Sequence, residues 1–328
     1  MRLARRSPRC GSATTAPGPG GCWLLSEVAP GPRVAVSIEG SRGYGIGLAR
    51  ARAGAGLLVI ECEQPGRNQR RGKGKSGPID AHLAVLAALR LEASRLPVPR
   101  AGGDREALRI LLVARQEITA ARTAQASRLR ALLLAGDDAD RQAARSALTG
   151  RVLAALAGRE LPAQASREHT VRQAEIGRPA LALDQARRQL QDNRAQQLTI
   201  VDDPAPGLTS RHGVEPVSAA QSIVSFSHPG RCRGESAFAA LNRTSPIPAS
   251  SDKTIRHRLN RGGDRALNRA IHAIAVSRIR SCPRTRAYVA RRTAEGKTPR
   301  EIRRCLKRYI ARELHRQLTQ SMKPLMSG

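Results

Sequence analysis

Aromatic residues are scarce in this chain of 328 residues, because Phe, Trp and Tyr together make up 2% of it. A protein that holds single-stranded nucleic acid by base stacking needs aromatic platforms, so the scarcity argues against that class. Acidic residues are also few: 26 Asp and Glu stand against 57 Lys and Arg, which gives a formal net charge of +31. Most of the excess is arginine, whose forked guanidinium bridges phosphate oxygens. The excess of arginine therefore favours a protein that binds nucleic-acid backbones.

Long apolar runs and clustered cysteines are also missing. No run approaches the roughly 20 residues that a membrane-spanning helix needs, so we expect no membrane partner. The cysteines are scattered, without a Cys-x-x-Cys pair or zinc-finger spacing, which predicts reduced thiols in a cytoplasmic protein. Residues 1–31 are rich in Gly, Pro and Ser and lack periodicity. We expect them to be disordered or not native to the fold.

The segment over residues 32–100 has the pattern of an α/β domain. Residues 33–38 alternate and are rich in β-branched side chains, which predicts a strand. A helix is expected over residues 45–55 and a short apolar strand over residues 57–61. After a basic turn, Pro78 opens an apolar helix. Strand–helix–strand–helix order is typical of α/β folds.

Residues 101–203 form a helical region. No proline occurs between Pro99 and Pro162, and apolar residues recur there at three, four or seven positions or their multiples. This pattern predicts an amphipathic helix of roughly 30 residues, followed by a second helical stretch from about Ala180 to Val201. Two interpretations stay open: a helical hairpin that packs on itself, or a coiled-coil arm through which copies of the chain associate.

Residues 204–320 form a basic C-terminal region. Its first part, residues 204–231, is punctuated by Pro and Gly, and its second part is predicted to be helical. Four arginines are the candidate phosphate contacts, with a solvated basic face as the alternative. They are Arg256, Arg258, Arg261 and Arg265.

Three segments, in order, resemble one family. Ser37–Gly45 contains Glu-Gly-Ser-Arg-Gly-Tyr-Gly, which resembles the family's strand-end Glu and the Gly-Tyr-Gly start of a helix. Gly72–Ala81 ends in Lys-Ser-Gly-Pro-Ile-Asp-Ala and is similar to Lys-Ser/Thr-Asp-x-x-Asp-Ala. Pro246–Thr254, which runs into the Arg/Gly-rich His257–Asp264, is similar to a Ser-Ser-Gly-Lys turn. Their order and spacing identify the chain as a member of the DEDD-class insertion-sequence transposases, the IS "one-ten" group.

The resemblance implies a fold, a chemistry and partners. It implies an RNase H-like (RuvC-like) N-terminal domain, here truncated, a coiled-coil insertion and a helical C-terminal transposase domain. It also implies DNA strand cleavage and joining with Mg²⁺ held by acids in the order Asp, Glu, Asp, Asp. The implied partners are DNA, a structured guide RNA encoded by the element in some members, and further copies of the chain in dimers or tetramers. We expect such a protein to be cytoplasmic and nucleoid-associated.

Two of the four family acids are present. Glu39 occupies the second place and Asp80 the fourth, which makes both of them candidate catalytic and metal-binding residues. Gly77 stands in the third place, and no Asp between Met1 and Ser37 supplies the first. Without the resemblance, Glu39 would be an ordinary strand-end acid and Asp80 a charge favoured at a helix terminus. We therefore expect weak Mg²⁺ binding and impaired catalysis.

Ser250 matches the family's serine nucleophile. A hydroxyl can attack a phosphate and hold it as a phosphoserine link, although a turn serine needs no such role. Asp252 replaces the family's Gly after the serine pair. Glu215 replaces a Gly in a segment similar to a helix–hairpin–helix turn, in which backbone N–H groups hold a DNA phosphate. Both changes put a negative charge where the phosphate is expected.

Three hypotheses follow: an active transposase, a decayed copy that binds nucleic acid without cutting it, and a basic helical protein with no transposase history. The ordered motifs argue against the third. The first two differ at Gly77, at the missing first Asp and at Asp252. We expect a transposase-like DNA recombinase that is catalytically impaired, with the decayed, non-catalytic nucleic-acid-binding relic as the alternative.

Overall fold

The computed structural model describes residues 35–39, 45–62, 77–91, 96–97, 99, 102–160, 164–248, 257–258, 260 and 262–322. Helices make up most of these residues, together with one two-stranded parallel sheet and one short antiparallel ladder. The expected combination of α/β and helical parts is therefore confirmed. Two parallel strands do not by themselves define an RNase H-like domain. The segment predicted to be disordered, residues 1–31, lies outside the described residues.

The N-terminal part is a small α/β unit. It consists of β1 (Ala35–Glu39), α1 (Ile46–Gly54), β2 (Leu58–Cys62) and α2 (Gly77–Leu89). The two strands pair in parallel, from Ala35 opposite Leu58 to Glu39 opposite Cys62. The predicted strand–helix–strand–helix order is confirmed, with element ends within two residues of those expected.

Helices cover both faces of this sheet. On one face, Ile60 of β2 packs with Ala84 and Ala88 of α2. On the other face, Val59 of β2 packs with Ile38 of β1 and Ala49 of α1. Because both of its faces are covered, β2 is almost entirely apolar, as the sequence pattern predicts for a buried parallel strand.

A long helical hairpin follows the sheet. Helices α3 (Gly103–Leu134) and α6 (Arg167–Val201) run antiparallel, and the short helices α4 (Asp138–Arg145) and α5 (Gly150–Ala157) form the tip between them. Leu129 and Leu133 of α3 pack with Ile176 of α6 near the tip. Near the base, Asn193 Nδ2 of α6 donates to the Leu111 carbonyl of α3 at 2.9 Å. The long amphipathic helix predicted in this region is confirmed, and within the chain it packs as a hairpin.

Helix α6 begins earlier than the sequence pattern predicts. The pattern of apolar residues placed its start near Ala180. A proline in the interior of a helix is costly, because it lacks a backbone N–H. The helix instead begins at Arg167, where the Ser166 side chain accepts from the His169 backbone N–H. Pro179 is buried within the helix. Packing of its neighbours Ile176, Ala180 and Leu183 in the tip core therefore outweighs the local cost of the proline.

The described C-terminal part has five helices, and all of them except the fourth contribute side chains to one core. They are α7 (Pro216–Phe226), α8 (Glu235–Leu241), α9 (Arg265–Ser281), α10 (Pro283–Ala294) and α11 (Pro299–Ser321), and the antiparallel ladder of β3 (Ile247–Pro248) and β4 (His257–Arg258) lies between α8 and α9. Leu108 of α3 and Val201 of α6 belong to the same core, so the base of the hairpin is anchored in it. No helix among the described residues is both long and apolar enough to span a membrane.

Gly263 lets the end of α8 approach the start of α9. It adopts φ 82°, and a Cβ there would lie 2.3 Å from the Leu241 carbonyl oxygen. The next residue, Asp264, donates its backbone N–H to that same oxygen at 2.6 Å. Its side chain accepts from two backbone N–H groups in the first turn of α9. This junction therefore requires glycine both for its backbone conformation and for the close contact.

Gly263→Ala is expected to lower the free energy of unfolding by about 3 kcal/mol or more, because it adds a steric overlap to a strained backbone conformation. Gly296→Ala is the matched control, because Gly296 has φ 78° and a Cβ there would meet nothing within 4 Å. We expect the control to cost about 1 kcal/mol. Denaturant unfolding followed by circular dichroism measures both values, and equal losses would contradict the close contact.

Candidate nucleic-acid interface

Helix α11 separates an apolar face from a basic one. Pro299 at its first position and a capping box between Thr298 and Glu301 fix where the helix begins. Its buried apolar side chains recur every four residues, so the cations between them are directed away from the core. These side chains are Ile302, Leu306, Ile310, Leu314 and Leu318, and the small Ala311 is buried beside them.

A pocket of about 380 Å³ lies between the basic face of α11 and the segment that follows α8. We call it the basic pocket. Its described lining has no acid and contains five cationic side chains: Arg243, Arg304, Lys307, Arg308 and Arg312. A concave surface lined in this way focuses positive potential and favours an anionic ligand.

One carboxylate orients two of these cations. Glu235, the first residue of α8, forms an ion pair with Arg308 at 2.7 Å, and Arg312 Nε donates to it at 2.9 Å. A single negative charge thus faces two guanidinium groups. The two arginines and Glu235 together carry a net positive charge, and the ion pairs fix the positions of both guanidinium groups. Guanidinium groups held in this way can bind a phosphate.

The other cations of the basic pocket differ in how they are held. Lys307 Nζ donates to Asn268 Oδ1 at 2.7 Å, and Arg243 donates to the Gly263 carbonyl at 3.0 Å. Arg304 is exposed to solvent, and no hydrogen bond within the described part of the chain engages its side chain. Arg304 is therefore the cation most available to a ligand.

Positive charge is crowded near the basic pocket. Burial lowers the pKa of the Lys307 ammonium. Burial, together with the charges of Lys307 and Arg303, lowers the pKa of His272. An anion bound in the pocket would offset the contribution that the charges of Lys307 and Arg303 make to the lowered pKa of His272.

Arg278 of α9 joins three parts of the C-terminal region. It makes two hydrogen bonds to the Glu313 carboxylate of α11, at 2.7 and 3.0 Å, and its Nε donates to the His212 carbonyl at 2.7 Å. Burial would raise the pKa of Glu313. The hydrogen bond and charge of Arg278, with the charges of Arg211 and Arg284, outweigh that effect and hold this pKa below its ordinary value.

Glu313→Gln is expected to destabilise the protein most near neutral pH. A carboxylate whose pKa is lowered by folding contributes stability that is present above the pKa of the unfolded chain and is lost as pH falls through the folded value. The gap in melting temperature between wild type and Glu313→Gln should therefore shrink as the pH drops below 4.5, the ordinary glutamate value. Thermal unfolding between neutral and acidic pH measures it, and a gap independent of pH would contradict this role for the Arg278–Glu313 pair.

The turn before α7 packs against α9. Gly213 adopts φ 76°, and a Cβ there would lie 3.2 Å from the Ile274 carbonyl oxygen. Glu215 occupies the N-cap position of α7, and its carboxylate forms an ion pair with Arg194 of α6. The acid that was expected to repel a phosphate at this turn thus has a partner inside the fold.

Residues 205–290 match a family model described as Transposase IS116/IS110/IS902 family. This segment is similar to the transposases of that family. The resemblance inferred from the sequence motifs is thereby confirmed for about a quarter of the 328 residues. The matched segment begins after α6 and ends within α10, so α11 contributes to the basic pocket from outside it. No curated protein matches the chain.

Within the matched segment, Ser250, Arg256, Arg258 and Arg261 lie close in sequence to β3 and β4. Ser250 lies outside the described residues, as do Arg256 and Arg261. Arg258 stands on β4 opposite Ile247, and its side chain is not described. The described residues that flank this segment, Pro246 and Asn260, both line the basic pocket. Two described residues, one on each side of Ser250 in the sequence, therefore belong to the lining of the pocket.

Arg265 is the first residue of α9 and is exposed, but it does not line the basic pocket. The sequence motifs pointed to the arginines before and at the start of α9, whereas the structure gathers Arg243 with the cations of α11. A signal for α11 exists in the sequence, because Arg304, Arg308 and Arg312 recur every four residues, out of phase with the apolar stripe. Arg243 carries no comparable signal.

The two predicted acids stand at one edge of the N-terminal sheet. Glu39 ends β1, and Asp80 lies in the first turn of α2, which Gly77 begins. Ser37 Oγ, two residues before Glu39, donates to the Ala84 carbonyl at 3.4 Å, one helical turn beyond Asp80. The side chains of Glu39 and Asp80 are not described. Among the side chains that are described, no group of three or more His, Cys, Asp or Glu could hold a metal ion.

Proposed function

We propose that this chain is an insertion-sequence transposase that binds DNA through the basic pocket and is impaired in metal-dependent strand cleavage and joining. The observation that carries the proposal is the basic pocket, whose described lining contains five cations and no acid and is formed partly by residues of the matched segment. Arginine-rich concave surfaces bind phosphate oxygens, and the attacking hydroxyl of a recombinase has to stand next to a phosphate.

The N-terminal unit is proposed to be the remnant of an RNase H-like domain. Its support is the placement of Glu39 and Asp80 at the carboxyl-terminal edge of parallel strands, the edge at which α/β sheets commonly place their ligands. Carboxylate oxygens are the donors that Mg²⁺ prefers, so Glu39 and Asp80 would hold one ion. When bound, the ion would neutralise phosphate charge. Gly77 offers no third carboxylate at this edge.

The serine site carries a second departure from the family. Ser250 is the proposed nucleophile, and the Asp252 carboxylate replaces a glycine two residues away. A negative charge at this point opposes the approach of a phosphate. The aspartate also lacks the backbone freedom of the glycine that it replaces. The added charge and the lost backbone freedom lower the rate of strand cleavage more than they lower the affinity for DNA, because that affinity is spread over many phosphate contacts.

The proposal extends to partners. DNA is the first, and a structured guide RNA from the same element is the second. Copies of the chain are proposed to associate as dimers or tetramers through the hairpin, where apolar side chains on its two long helices are exposed: Ile110, Val113, Leu181 and Leu198. We place the protein in the cytoplasm, at the nucleoid.

The alternative is a decayed relic that binds nucleic acid and does not cut it. Gly77 and Asp252 favour this alternative, since each departs from a residue type that the chemistry needs. Cleavage of DNA from the ends of the element by the purified protein, compared with Ser250→Ala, separates the two. Mg²⁺-dependent cleavage that Ser250→Ala abolishes supports an impaired enzyme, and salt-sensitive binding without cleavage supports the relic.

Removal of charge from the basic pocket is expected to weaken DNA binding. The double variant Arg304→Gln, Arg312→Gln should reduce the slope of log affinity against log salt by about 0.9 for each phosphate contact that is lost. The control is Arg130→Gln, Arg151→Gln, because both of these arginines are exposed on the hairpin. Titration of a short labelled duplex at several salt concentrations measures the slopes. Equal losses in both double variants would indicate a general charge effect and contradict the pocket.

Gly77→Asp alone is expected not to restore cleavage. It returns one acid to the edge of Glu39 and Asp80, but the chain still has no Asp ahead of Glu39 to complete the family's set. A nicking assay on supercoiled plasmid with and without Mg²⁺ tests this, with Gly77→Asn as the uncharged control. Mg²⁺-dependent nicking by Gly77→Asp, absent from Gly77→Asn, would overturn the expectation.

A further inference from the structure

The two described tyrosines lie together at the surface, whereas the two phenylalanines are buried. Phe226 and Phe238 belong to the C-terminal core. Tyr288 of α10 and Tyr309 of α11 meet edge to face, with ring centroids 5.9 Å apart and an interplanar angle of 87°. The Tyr309 side chain is 53% exposed. The edge contact with Tyr288 therefore holds the Tyr309 ring in place while much of its surface stays open to solvent.

Tyr309 also lines the basic pocket. The Arg312 guanidinium carbon lies 5.9 Å from the centroid of the Tyr309 ring, and that of Arg291 lies 5.7 Å from the Tyr288 centroid. An exposed ring fixed beside several guanidinium groups combines the two features that hold single strands, namely a surface for base stacking and cations for the backbone.

We propose that Tyr309 and the basic pocket form a binding site for single-stranded nucleic acid, in which a base stacks on the Tyr309 ring and the neighbouring phosphates contact Arg304, Arg308 and Arg312. This inference rests on the proposed function, since it names the form of nucleic acid that the basic pocket takes. A base within a duplex has both faces covered by its neighbours and cannot stack on a side chain. Tyr309 therefore selects an unpaired base, while the cations alone would accept either form.

The proposal corrects an inference from composition. The scarcity of aromatic residues in the whole chain argued against binding by base stacking, but a single platform needs only one well-placed ring. Tyr309 lines the basic pocket and Tyr288 contacts its ring, so the site has a supported aromatic ring although aromatic residues are few in the chain. Single-stranded DNA and RNA share the chemistry that this site would bind.

The test measures binding by the full chain to labelled oligothymidylate, oligouridylate and a duplex DNA, with the variants Tyr309→Ala, Tyr309→Leu and Tyr309→Phe. The Phe variant keeps the stacking surface, while the Leu variant keeps apolar bulk without an aromatic face. Leu134→Ala is the control, because it removes an apolar side chain that is 57% exposed at the end of α3 and does not belong to the set proposed for association between copies. Thermal unfolding of each variant establishes that it is folded.

Tyr309→Ala and Tyr309→Leu are expected to weaken single-strand binding by about 5- to 150-fold, the range for loss of one stacked base. Tyr309→Phe and Leu134→Ala should bind as the wild type does, and duplex affinity should be unchanged in every variant. The oligomer that shows the larger loss, DNA or RNA, identifies the natural source of the strand.

Unchanged single-strand binding in the Ala variant, or an equal loss for single strand and duplex, would overturn the stacking proposal and leave the proposed function in place. A wild-type chain that binds none of the three nucleic acids would overturn the proposed function, and the stacking proposal with it.

Discussion

The burial of one face of α11 determines the arrangement of charge in the C-terminal region. Leu306, Ile310 and Leu314 enter the same core as Ile271 and Ile274 of α9. Each such side chain contributes about 1.5–3 kcal/mol when it is fully buried. Repulsion between partly exposed cations is screened and smaller, on the order of 1 kcal/mol per pair or less. The free energy gained by hydrophobic burial therefore exceeds the cost of charge repulsion. The arginines of α11 are held together on the opposite face despite their like charge.

Binding and catalysis make different demands on such a structure. Affinity for a phosphate backbone is the sum of several contacts, so the loss or reversal of one charge weakens it only gradually. Metal-dependent cleavage needs a few carboxylates at fixed positions, so one glycine in place of an aspartate is a much larger change. In a chain that has Gly77 together with the basic pocket, we expect strand cleavage to be lost before nucleic-acid binding is lost. Glu215 shows that a departure from the family pattern need not be damage, because Arg194 pairs with it.

Local sequence patterns predict the helices and strands of this protein well and the basic pocket poorly. Alternation, an apolar strand and a long proline-free stretch suffice for β1, β2, α2 and α3, because each depends on neighbouring residues. The pocket joins Arg243 to residues 304–312, and no local pattern shows that segments so far apart in sequence meet. The predicted second stretch missed the first residues of α6, from Arg167, and the helix continues through Pro179 because packing in the tip core outweighs the local cost of a proline. The positions of Glu39 and Asp80 follow from motif order, whereas the geometry of their side chains does not.

The most direct test of the account is to label the arginines of the full chain with a dicarbonyl reagent, with and without bound oligonucleotide, and to measure each modification by mass spectrometry. The account predicts that nucleic acid protects Arg304, Arg308 and Arg312, while Arg130 and Arg151 on the hairpin react as fast as before. Protection of the hairpin arginines with unchanged labelling of α11 would contradict it, because nucleic acid would then bind elsewhere than in the basic pocket.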